Sequence, residues 1–292
     1  MGEALAGDAP PALGAVAEFL ICPVCGDGLR PAQGGGLRCA SRHSFDRARQ
    51  GYVSLLTGGT ATGMGDTAEM VKSREEFLAA GHYAPAAAML ADFAAHAGWP
   101  TGRGLVVDAG AGTGYYLRSV LDRLPAAVGL ALDISKPALR RAARAHPRAC
   151  AVAWDIRQPF PIRPGVASLV LNVFAPRNGA EFRRILRPDG ALLVVTPTAA
   201  HLGSLMPALG LLSVDSHKDA RMERSLSPHF VLEQRDERAL ALNLPRAHIK
   251  ALVRMGPSAH HLRDDEIERR TAALAEPVCV TASFAVSVYR PR

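Results

Sequence analysis

The sequence has few cysteines, and they do not form an even set. Five of the 292 residues are cysteine, and three of these lie between positions 22 and 39. An odd, clustered set is unlike the disulfide framework of a small secreted protein. It indicates a reducing compartment, which we take to be the cytoplasm.

Long hydrophobic runs and a basic amino-terminal segment are also lacking. No uninterrupted apolar stretch reaches the roughly 20 residues that a helix needs to cross a bilayer. Residues 1–20 carry acidic rather than basic side chains, unlike a secretory signal peptide. We therefore expect no membrane partner.

Aromatic and acidic residues are the other scarce classes. Aromatic side chains make up 5% of the sequence, whereas 48% of the residues are hydrophobic, which favours helices packed on an aliphatic sheet. Acidic residues number 27 against 34 basic ones, so the formal net charge is +7. This excess fits a polyanionic partner, although an Ala- and Arg-rich composition that merely reflects GC-rich coding is an equal alternative.

Composition divides the chain into four segments. Residues 1–19 are rich in Ala, Gly and Pro and are predicted to be a flexible leader. Residues 20–60 are rich in Gly, Cys and turn formers, which is typical of a small module without its own core. Residues 61–100 are predicted to be a helical connector that covers a ligand site, and residues 101–292 form the main domain.

The main domain alternates apolar strands with helices. The predicted strands cover residues 105–109, 128–133, 149–154, 167–174 and 191–196. The predicted helices between and after them cover residues 115–124, 136–145, 180–186 and 201–210. This alternation predicts an α/β fold with a parallel sheet. Two late strands, at 230–242 and 278–289, are predicted to extend the sheet in antiparallel fashion.

Two close pairs of potential ligands in the small module predict a metal site. Cys22 and Cys25 are separated by two residues, and Cys39 precedes His43 by four. Three thiolates and one imidazole suit a structural tetrahedral Zn²⁺, with buried free thiols as the less favoured alternative. The two remaining cysteines, Cys150 and Cys279, lie in apolar strand patterns and are predicted to be buried.

A glycine-rich turn follows the first strand of the main domain. The turn, Asp108-Ala109-Gly110-Ala111-Gly112-Thr113-Gly114, lets a ligand approach the backbone closely. An acid directly before the glycines would repel a pyrophosphate, so the turn favours S-adenosylmethionine over a nicotinamide dinucleotide.

Polar residues end the next three strands. Asp133 can receive a ribose diol, Asp155 can face an adenine, and Asn172 lies where group transfer would occur. The carboxyl ends of parallel strands meet at one crevice, so these residues and the glycine turn predict one site.

These features resemble the class I S-adenosylmethionine-dependent methyltransferases, and more specifically the RlmA family of 23S rRNA guanine-N1-methyltransferases. The resemblance is carried by the metal-site spacing, the glycine turn, Gly51-Tyr52-Val53, Asn172-Val173-Phe174-Ala175-Pro176 and Thr196-Pro197 with His201-Leu202. It implies a Rossmann-like, mostly parallel seven-stranded sheet with an N-terminal zinc domain. It further implies zinc ligation by Cys22, Cys25, Cys39 and His43.

The same resemblance implies donor contacts and a substrate. Donor contacts carry over to the glycine turn, including Gly110 and Gly112, and to Tyr83, Tyr116, Leu117, Asp133 and His201. The implied substrate is a hairpin loop of 23S rRNA near the exit tunnel. The implied branch confers tylosin resistance by methylating guanosine 748, with guanosine 745 as the alternative, and a homodimer is possible.

The transfer chemistry is only partly assigned by the sequence. N1 of guanine lies on the Watson–Crick edge and carries a proton, so the base must be unpaired and deprotonated. We expect Asn172 to act in transfer, and the proton acceptor is left open among His201, His217, Asp215 and Asp155. A small-molecule methyltransferase and a non-enzymatic RNA-binding zinc protein are the alternative functions.

Overall fold

The computed structural model describes residues 11–58, 65–97, 104–210, 224–256 and 261–292. The helices are α1 (Pro11–Ala17), α2 (Ala68–Ala79), α3 (Ala84–His96), α4 (Tyr115–Arg123), α5 (Lys136–Ala145), α6 (Gly179–Ile185), α7 (Leu205–Leu209), α8 (Arg246–Arg254) and α9 (Asp264–Ala272). The strands are β1 (Arg30–Pro31), β2 (Leu37–Arg38), β3 (Ser44–Phe45), β4 (Val53–Ser54), β5 (Gly104–Ala109), β6 (Ala127–Asp133), β7 (Ala149–Ala153), β8 (Ala167–Val173), β9 (Leu186–Pro197), β10 (Phe230–Leu244) and β11 (Val278–Pro291).

One large sheet organises the chain and confirms the predicted α/β class. Its strand order is β10-β11-β9-β8-β5-β6-β7-β4. Strands β4 to β9 pair in parallel, and β11 pairs antiparallel with both β9 and β10. Every residue of β5, β7 and β8 is buried, as expected for strands covered by helices on both faces.

The sheet has eight strands rather than the predicted seven. The additional strand is β4, which pairs Val53 with Val152 and Ser54 with Ala153 of β7. It belongs to the segment predicted as the small module, so this module supplies an edge strand to the main sheet. A two-residue pairing leaves almost no periodicity in the sequence, which is why it was not predicted.

The amino-terminal segment is more ordered than predicted. Residues 11–17 of the predicted flexible leader form α1, in which Val16 and Ala17 are fully or nearly fully buried. They pack in the same apolar cluster as residues of β5 and β6. The leader prediction is therefore wrong for α1, because burial of its apolar side chains repays the ordering of the backbone. Residues 1–10 lie outside the described residues.

The small module consists of the three-stranded antiparallel sheet β1-β2-β3 and is attached to the main sheet at several points. The Ile21 amide donates to the Pro161 carbonyl over 3.0 Å. Leu29 and Leu37 are buried in the apolar cluster that also contains strand residues of the large sheet. Its buried apolar side chains therefore share the core of the large sheet.

Helices α2 and α3 follow the module; α2 packs against the late helix α8, and α3 packs against α4. The Thr67 hydroxyl caps α2 by accepting from the Met70 amide. The Nε2 atom of His82, just before α3, lies 2.7 Å from Nδ1 of His248 on α8. Among the described helices, none is long and apolar enough to cross a membrane.

The two cysteines outside the module differ in burial. Cys150 on β7 is buried, and burial raises the pKa of its thiol to about 12. Cys279 on β11 is exposed, so its predicted burial was wrong. The reason is the alternation of side chains along β11: Cys279 and Thr281 lie on the exposed face, whereas Val280 and Ala282 between and after them are buried.

Candidate donor site and metal centre

The glycine turn is held against the end of β6 by backbone hydrogen bonds. The amides of Gly110 and Ala111 both donate to the Leu132 carbonyl, over 2.9 and 3.0 Å. Gly110 has φ +88°, and a Cβ there would lie 2.4 Å from Cβ of Ala175. Only glycine therefore fits between β5 and the loop after β8.

Asp108 lies beneath this turn as a buried carboxyl group. It is 1% exposed, and its Oδ1 atom has no hydrogen-bond partner among the described residues. Burial, together with repulsion from Asp133, raises the pKa of Asp108 to about 8. An unpaired buried carboxylate is costly, and a cationic ligand would relieve that cost. This agrees with the prediction that the turn takes a positively charged ligand rather than a pyrophosphate.

Asp133 closes the turn from the neighbouring strand tip. Its Oδ2 accepts from the Gly112 amide and its Oδ1 from the Ser135 amide, each over 2.8 Å. Burial raises the pKa of Asp133, and the two backbone hydrogen bonds oppose that rise. Each oxygen keeps a further lone pair, so the carboxylate can still accept ribose hydroxyls.

Asp155 lies two residues after the end of β7, and its carboxylate is bound by Arg157. The Arg157 backbone amide and Nε both donate to Oδ1 of Asp155, over 3.0 and 2.9 Å. Burial opposes ionisation, but the contacts with Arg157 outweigh it and hold the pKa of Asp155 below its ordinary value. A carboxylate held in this way is a poor proton acceptor at neutral pH. Its predicted contact with adenine stays a prediction.

Asn172 is fully buried at the tip of β8 and joins two parts of the site. Its amide nitrogen donates to the carbonyls of Ala109 and Pro176, over 3.2 and 2.9 Å. Its Oδ1 atom has no partner among the described residues. The amide therefore fixes the loop after β8 against the end of β5 and leaves one acceptor atom. The predicted role of Asn172 in transfer stays a prediction.

An aromatic group lies between α2, α4 and β11. The ring of Tyr83 is 5.0 Å from those of Phe77 and Phe284, and burial raises the pKa of its phenol. Tyr116, in the first turn of α4, lies 5.2 Å from Tyr115. Leu117 is 1% exposed and packs in the core, so only its backbone is available for the predicted donor contact.

His201 packs against this aromatic group, and its hydrogen bond to the backbone determines which ring nitrogen carries the proton. Its ring centre lies 4.9 Å from that of Phe284, and its Nδ1 accepts from the Ser283 amide over 3.1 Å. A neutral ring with Nδ1 as acceptor carries its proton on Nε2 and donates from that atom. His201 is thus a hydrogen-bond donor rather than a proton acceptor. The other suggested bases, Asp215 and His217, lie outside the described residues.

Arg74 is a residue at the site that the sequence did not indicate. It forms an ion pair with Asp66, and its Nη2 donates to the Met255 carbonyl over 2.7 Å. Its Nη1 lies 3.3 Å from the position of a Cβ on Gly112. Arg74 thus brings a guanidinium from α2 to the glycine turn. It lies 38 positions before Gly112 in the sequence and belongs to no recognised motif.

The four predicted zinc ligands lie together in the small module. One ligand atom from each of Cys22, Cys25, Cys39 and His43 falls within 4.8 Å of all the others. The Cys25 and Cys39 sulfurs are 3.7 Å apart, and Nδ1 of His43 is 3.3 Å from the Cys39 sulfur. Thiolates about 2.3 Å from a tetrahedral Zn²⁺ lie about 3.8 Å apart, so the cluster fits this ion.

Short backbone turns shape the cluster. The Gly26 amide donates to the Cys22 carbonyl over 2.9 Å, and Gly26 has φ +79°. The Arg42 amide donates to the Cys39 carbonyl over 3.1 Å, and Arg42 has φ +69°. The two turns direct both ligand pairs at one point, and four protein ligands leave no open position for catalysis. The residues fit a structural rather than a catalytic zinc ion.

Comparison with known proteins agrees with both parts of the site. The family model described as "RlmA, N-terminal", a zinc ribbon, matches residues 20–57, which include all four clustered ligands. A "Putative 23S rRNA (guanine-N(1)-)-methyltransferase" of Micromonospora griseorubida is 55% identical over 287 residues, which cover 93% of this chain and 97% of the relative. The "23S rRNA (guanine(748)-N(1))-methyltransferase" of Streptomyces fradiae is 47% identical, covering 94% of this chain and 98% of the relative. A putative enzyme of Bacillus subtilis is 30% identical over 84% of this chain and 88% of its own length.

Proposed function

The chain belongs to the RlmA family of 23S rRNA guanine-N1-methyltransferases, and from this membership we propose that it methylates N1 of one guanosine in 23S rRNA. S-adenosylmethionine supplies the methyl group, on a sulfonium that makes it electrophilic. The observation that carries the proposal is that one sheet holds two sites together. These are a zinc module and a glycine turn beside the buried Asp108, whose Oδ1 atom has no hydrogen-bond partner among the described residues.

Residues of the chain take distinct parts in this reaction. Asp108 offers a buried negative charge to the cationic donor, and Asp133 offers carboxylate oxygens to its ribose. His201, whose Nδ1 accepts from the Ser283 amide, carries its proton on Nε2 and acts as a hydrogen-bond donor. Asn172 holds the loop after β8 in place beside the turn. Most of the acceleration comes from positioning and from exclusion of water.

Unpaired arginines on the small module and on α5 support a polyanionic substrate. Arg30 and Arg38 lie directly opposite each other across β1 and β2, and both are exposed. Arg140 and Arg144 are exposed one turn apart on α5. None of the four has a hydrogen bond or ion pair within the described part of the chain. Repulsion between like charges at these spacings destabilises a sheet or helix slightly. Binding of phosphate groups between the arginines would remove that repulsion.

The arginines of α5 lie next to the small module. A tight turn at residues 48–52 brings Gly51 against α5, where a Cβ on Gly51 would lie 3.2 Å from that of Ala143. Arg140 lies three positions before Ala143 and shares its helix face, and Arg144 follows Ala143 directly, four positions after Arg140. The neighbouring Arg141 is already paired with Glu75 over 3.0 Å. A backbone of phosphates could therefore continue from the module onto α5.

Neutralising the arginines of α5 is expected to weaken RNA binding and its salt dependence. In the double variant Arg140→Gln/Arg144→Gln, the slope of log affinity for 23S rRNA against log salt should fall by about 1.5 to 2, because each phosphate contact contributes roughly one. Affinity at low salt should fall at least about tenfold, and donor affinity should stay unchanged. Arg118→Gln/Arg123→Gln is the matched control, since those arginines are already paired with Asp122 and Asp92. Equal slopes in both double variants would contradict an RNA contact on α5.

The finer features of the substrate follow from the same family membership. We place the methyl group on guanosine 748, in a hairpin loop near the exit tunnel, with resistance to tylosin-type macrolides as the consequence. The support is the 47% identity to the guanosine-748 enzyme of Streptomyces fradiae. We further place the protein in the cytoplasm and expect a homodimer, which a mass measurement in solution tests.

Incubation with unmodified 23S rRNA and labelled S-adenosylmethionine tests the proposed function. N1-methylation blocks base pairing, so reverse transcription of the product should stop at one guanosine, expected at 748. A stop at 745 would assign the other branch of the family. Label found only in small molecules, or donor binding without any turnover, would refute rRNA methylation by this protein.

A further inference from the structure

Phe174 has a backbone conformation that its side chain does not favour. It follows the last residue of β8 and has φ +54°, in the left-handed region. It shares a positive φ with only two other non-glycine residues of the described chain. Glycine or asparagine would adopt this conformation at lower cost. Backbone strain of this kind is concentrated at functional sites. The strain at Phe174 therefore suggests that its side chain has a role in function.

The ring of Phe174 is also unusually exposed for its size. Its relative exposure is 41%, and it is the only aromatic among the four exposed large hydrophobic residues in the described ranges. One side is held by other rings, since its centre lies 5.5 Å from that of Phe284 and 6.2 Å from that of Tyr116. The ring is thus supported from the protein side, and much of its surface is left to solvent.

The position of Phe174 is next to the donor turn. The following residue, Ala175, fills the space that a Cβ of Gly110 would need, at 2.4 Å. Asn172, two residues earlier, bonds to the carbonyl of Ala109 at the start of the same turn. Tyr116, which contacts Phe174, lies in the first turn of α4 directly after the glycines. The exposed ring therefore borders the proposed methyl-donor site.

We propose that Phe174 is the stacking platform for the unpaired guanine that receives the methyl group, an inference that rests on the proposed function. Aromatic side chains bind extruded bases through their flat faces. Face-to-face stacking leaves the edge of the base free. The lone pair of a deprotonated N1 lies in the plane of the base, so the methyl group must approach along that edge. Stacking on Phe174 fixes the base without obstructing N1.

The need for a flat π face explains why an aromatic residue is kept in this strained backbone conformation. An aliphatic side chain in this position would fill the same contacts with Phe284 and Tyr116, but it would offer no π face. The fixed amide of Phe174, which donates to the Val195 carbonyl over 3.1 Å, holds the backbone in the left-handed conformation. The ring is therefore held at the end of a buried strand rather than on a mobile loop, as a platform requires.

A thermodynamic cycle between protein and RNA tests this proposal. The protein variants are Phe174→Leu, which keeps an apolar side chain without a π face, and Phe174→Tyr, which keeps the ring. Two RNA hairpins are compared, one with the target guanosine and one with an abasic nucleotide in its place. Phe174→Leu should weaken binding of the guanosine hairpin about 5- to 150-fold, equivalent to about 1–3 kcal/mol for one stacked base. It should bind the abasic hairpin as the wild type does.

The other readouts separate stacking from a structural effect. Phe174→Tyr should methylate within about threefold of the wild-type rate, and all variants should bind S-adenosylmethionine equally. Val231→Ala, which shortens an exposed apolar side chain on β10, is the control and should change nothing. If Phe174→Leu lowers the affinity for both hairpins equally, or for neither, Phe174 is not the stacking platform. If the wild type does not methylate the guanosine hairpin at all, the proposed function itself fails and the platform fails with it.

Discussion

Replacement of Cys39 by serine is expected to abolish zinc retention and to reduce 23S rRNA methylation at least about 100-fold. The sulfur of Cys39 lies 3.7 Å from that of Cys25 and 3.3 Å from Nδ1 of His43, so its loss opens the tetrahedral set. Structural zinc contributes on the order of 10 kcal/mol to the folding of small modules. The three strands of this module have only two residues each and cannot hold their arrangement without the ion.

Loss of zinc should disorder the RNA-binding surface of the small module but leave the donor turn intact. Cys22 and Cys39 are both buried in the apolar cluster shared with the large sheet, so the module should loosen from it. Arg30 and Arg38 would lose their fixed positions on β1 and β2. The glycine turn is held by β6 and should keep its affinity for S-adenosylmethionine within about threefold.

Metal content, donor affinity and rRNA methylation measured on the same preparations check this prediction. Wild type should hold one zinc per chain and Cys39→Ser none. Cys279→Ser is the matched control, because it removes an exposed thiol outside the cluster and should leave all three quantities unchanged. Full rRNA methylation by folded, zinc-free protein would contradict the requirement for the metal.

Asp108→Asn is expected to lower the affinity for S-adenosylmethionine about 100-fold at pH 8 and to remove its pH dependence. In the donor-free protein the pKa of Asp108 is about 8, because the group is buried and faces Asp133. A cationic donor favours the ionised form, so below pH 8 its binding must release a proton. Wild-type affinity should therefore rise with pH by up to about tenfold per unit and level off above pH 8.

The same substitution should stabilise the donor-free protein. The folded-state pKa of Asp108 lies above the ordinary value of 3.8, so its contribution to stability is largest at low pH and is lost as pH rises toward 8. Asparagine does not titrate. The difference in unfolding free energy between Asp108→Asn and wild type should thus shift in favour of the variant by about 2–3 kcal/mol between pH 6 and pH 8.

Binding and thermal-unfolding measurements at several pH values test both effects. Asp189→Asn, which neutralises an exposed carboxylate paired with Arg187, is the control and should reproduce the wild-type pH profile. Titration of the donor itself is common to all three proteins and cancels in the comparison. An Asp108→Asn variant that keeps the wild-type pH dependence of binding would exclude this carboxyl group as the partner of the donor.

Several features could be predicted because they depend on local sequence. The strands β5 and β6 and the helix α5 match their predicted bounds within one residue, since long apolar runs and caps such as Ser135 define them. The four zinc ligands were found because two short-spaced pairs suffice to enclose a tetrahedral ion. The strand-tip acids were found because the ends of parallel strands must meet.

Other features were out of reach of the sequence because they arise from contacts between distant segments. The edge strand β4 is defined only by its pairing with β7, about 100 positions later. Burial of α1 depends on the apolar face that β5 and β6 offer to it. Arg74 approaches Gly112 only because α2 packs near α8, where Met255 accepts its hydrogen bond.

The sequence by itself determined which chemistry is present: four zinc ligands, a glycine turn preceded by an acid, and polar residues at successive strand ends. The tertiary structure alone decided the state of each group. It left the Oδ1 atom of Asp108 without a partner in the described part of the chain, bound Asp155 to Arg157 and turned His201 into a hydrogen-bond donor. The physical reason is that residue type and spacing are local properties, whereas burial and hydrogen-bond partners depend on which distant segments pack together.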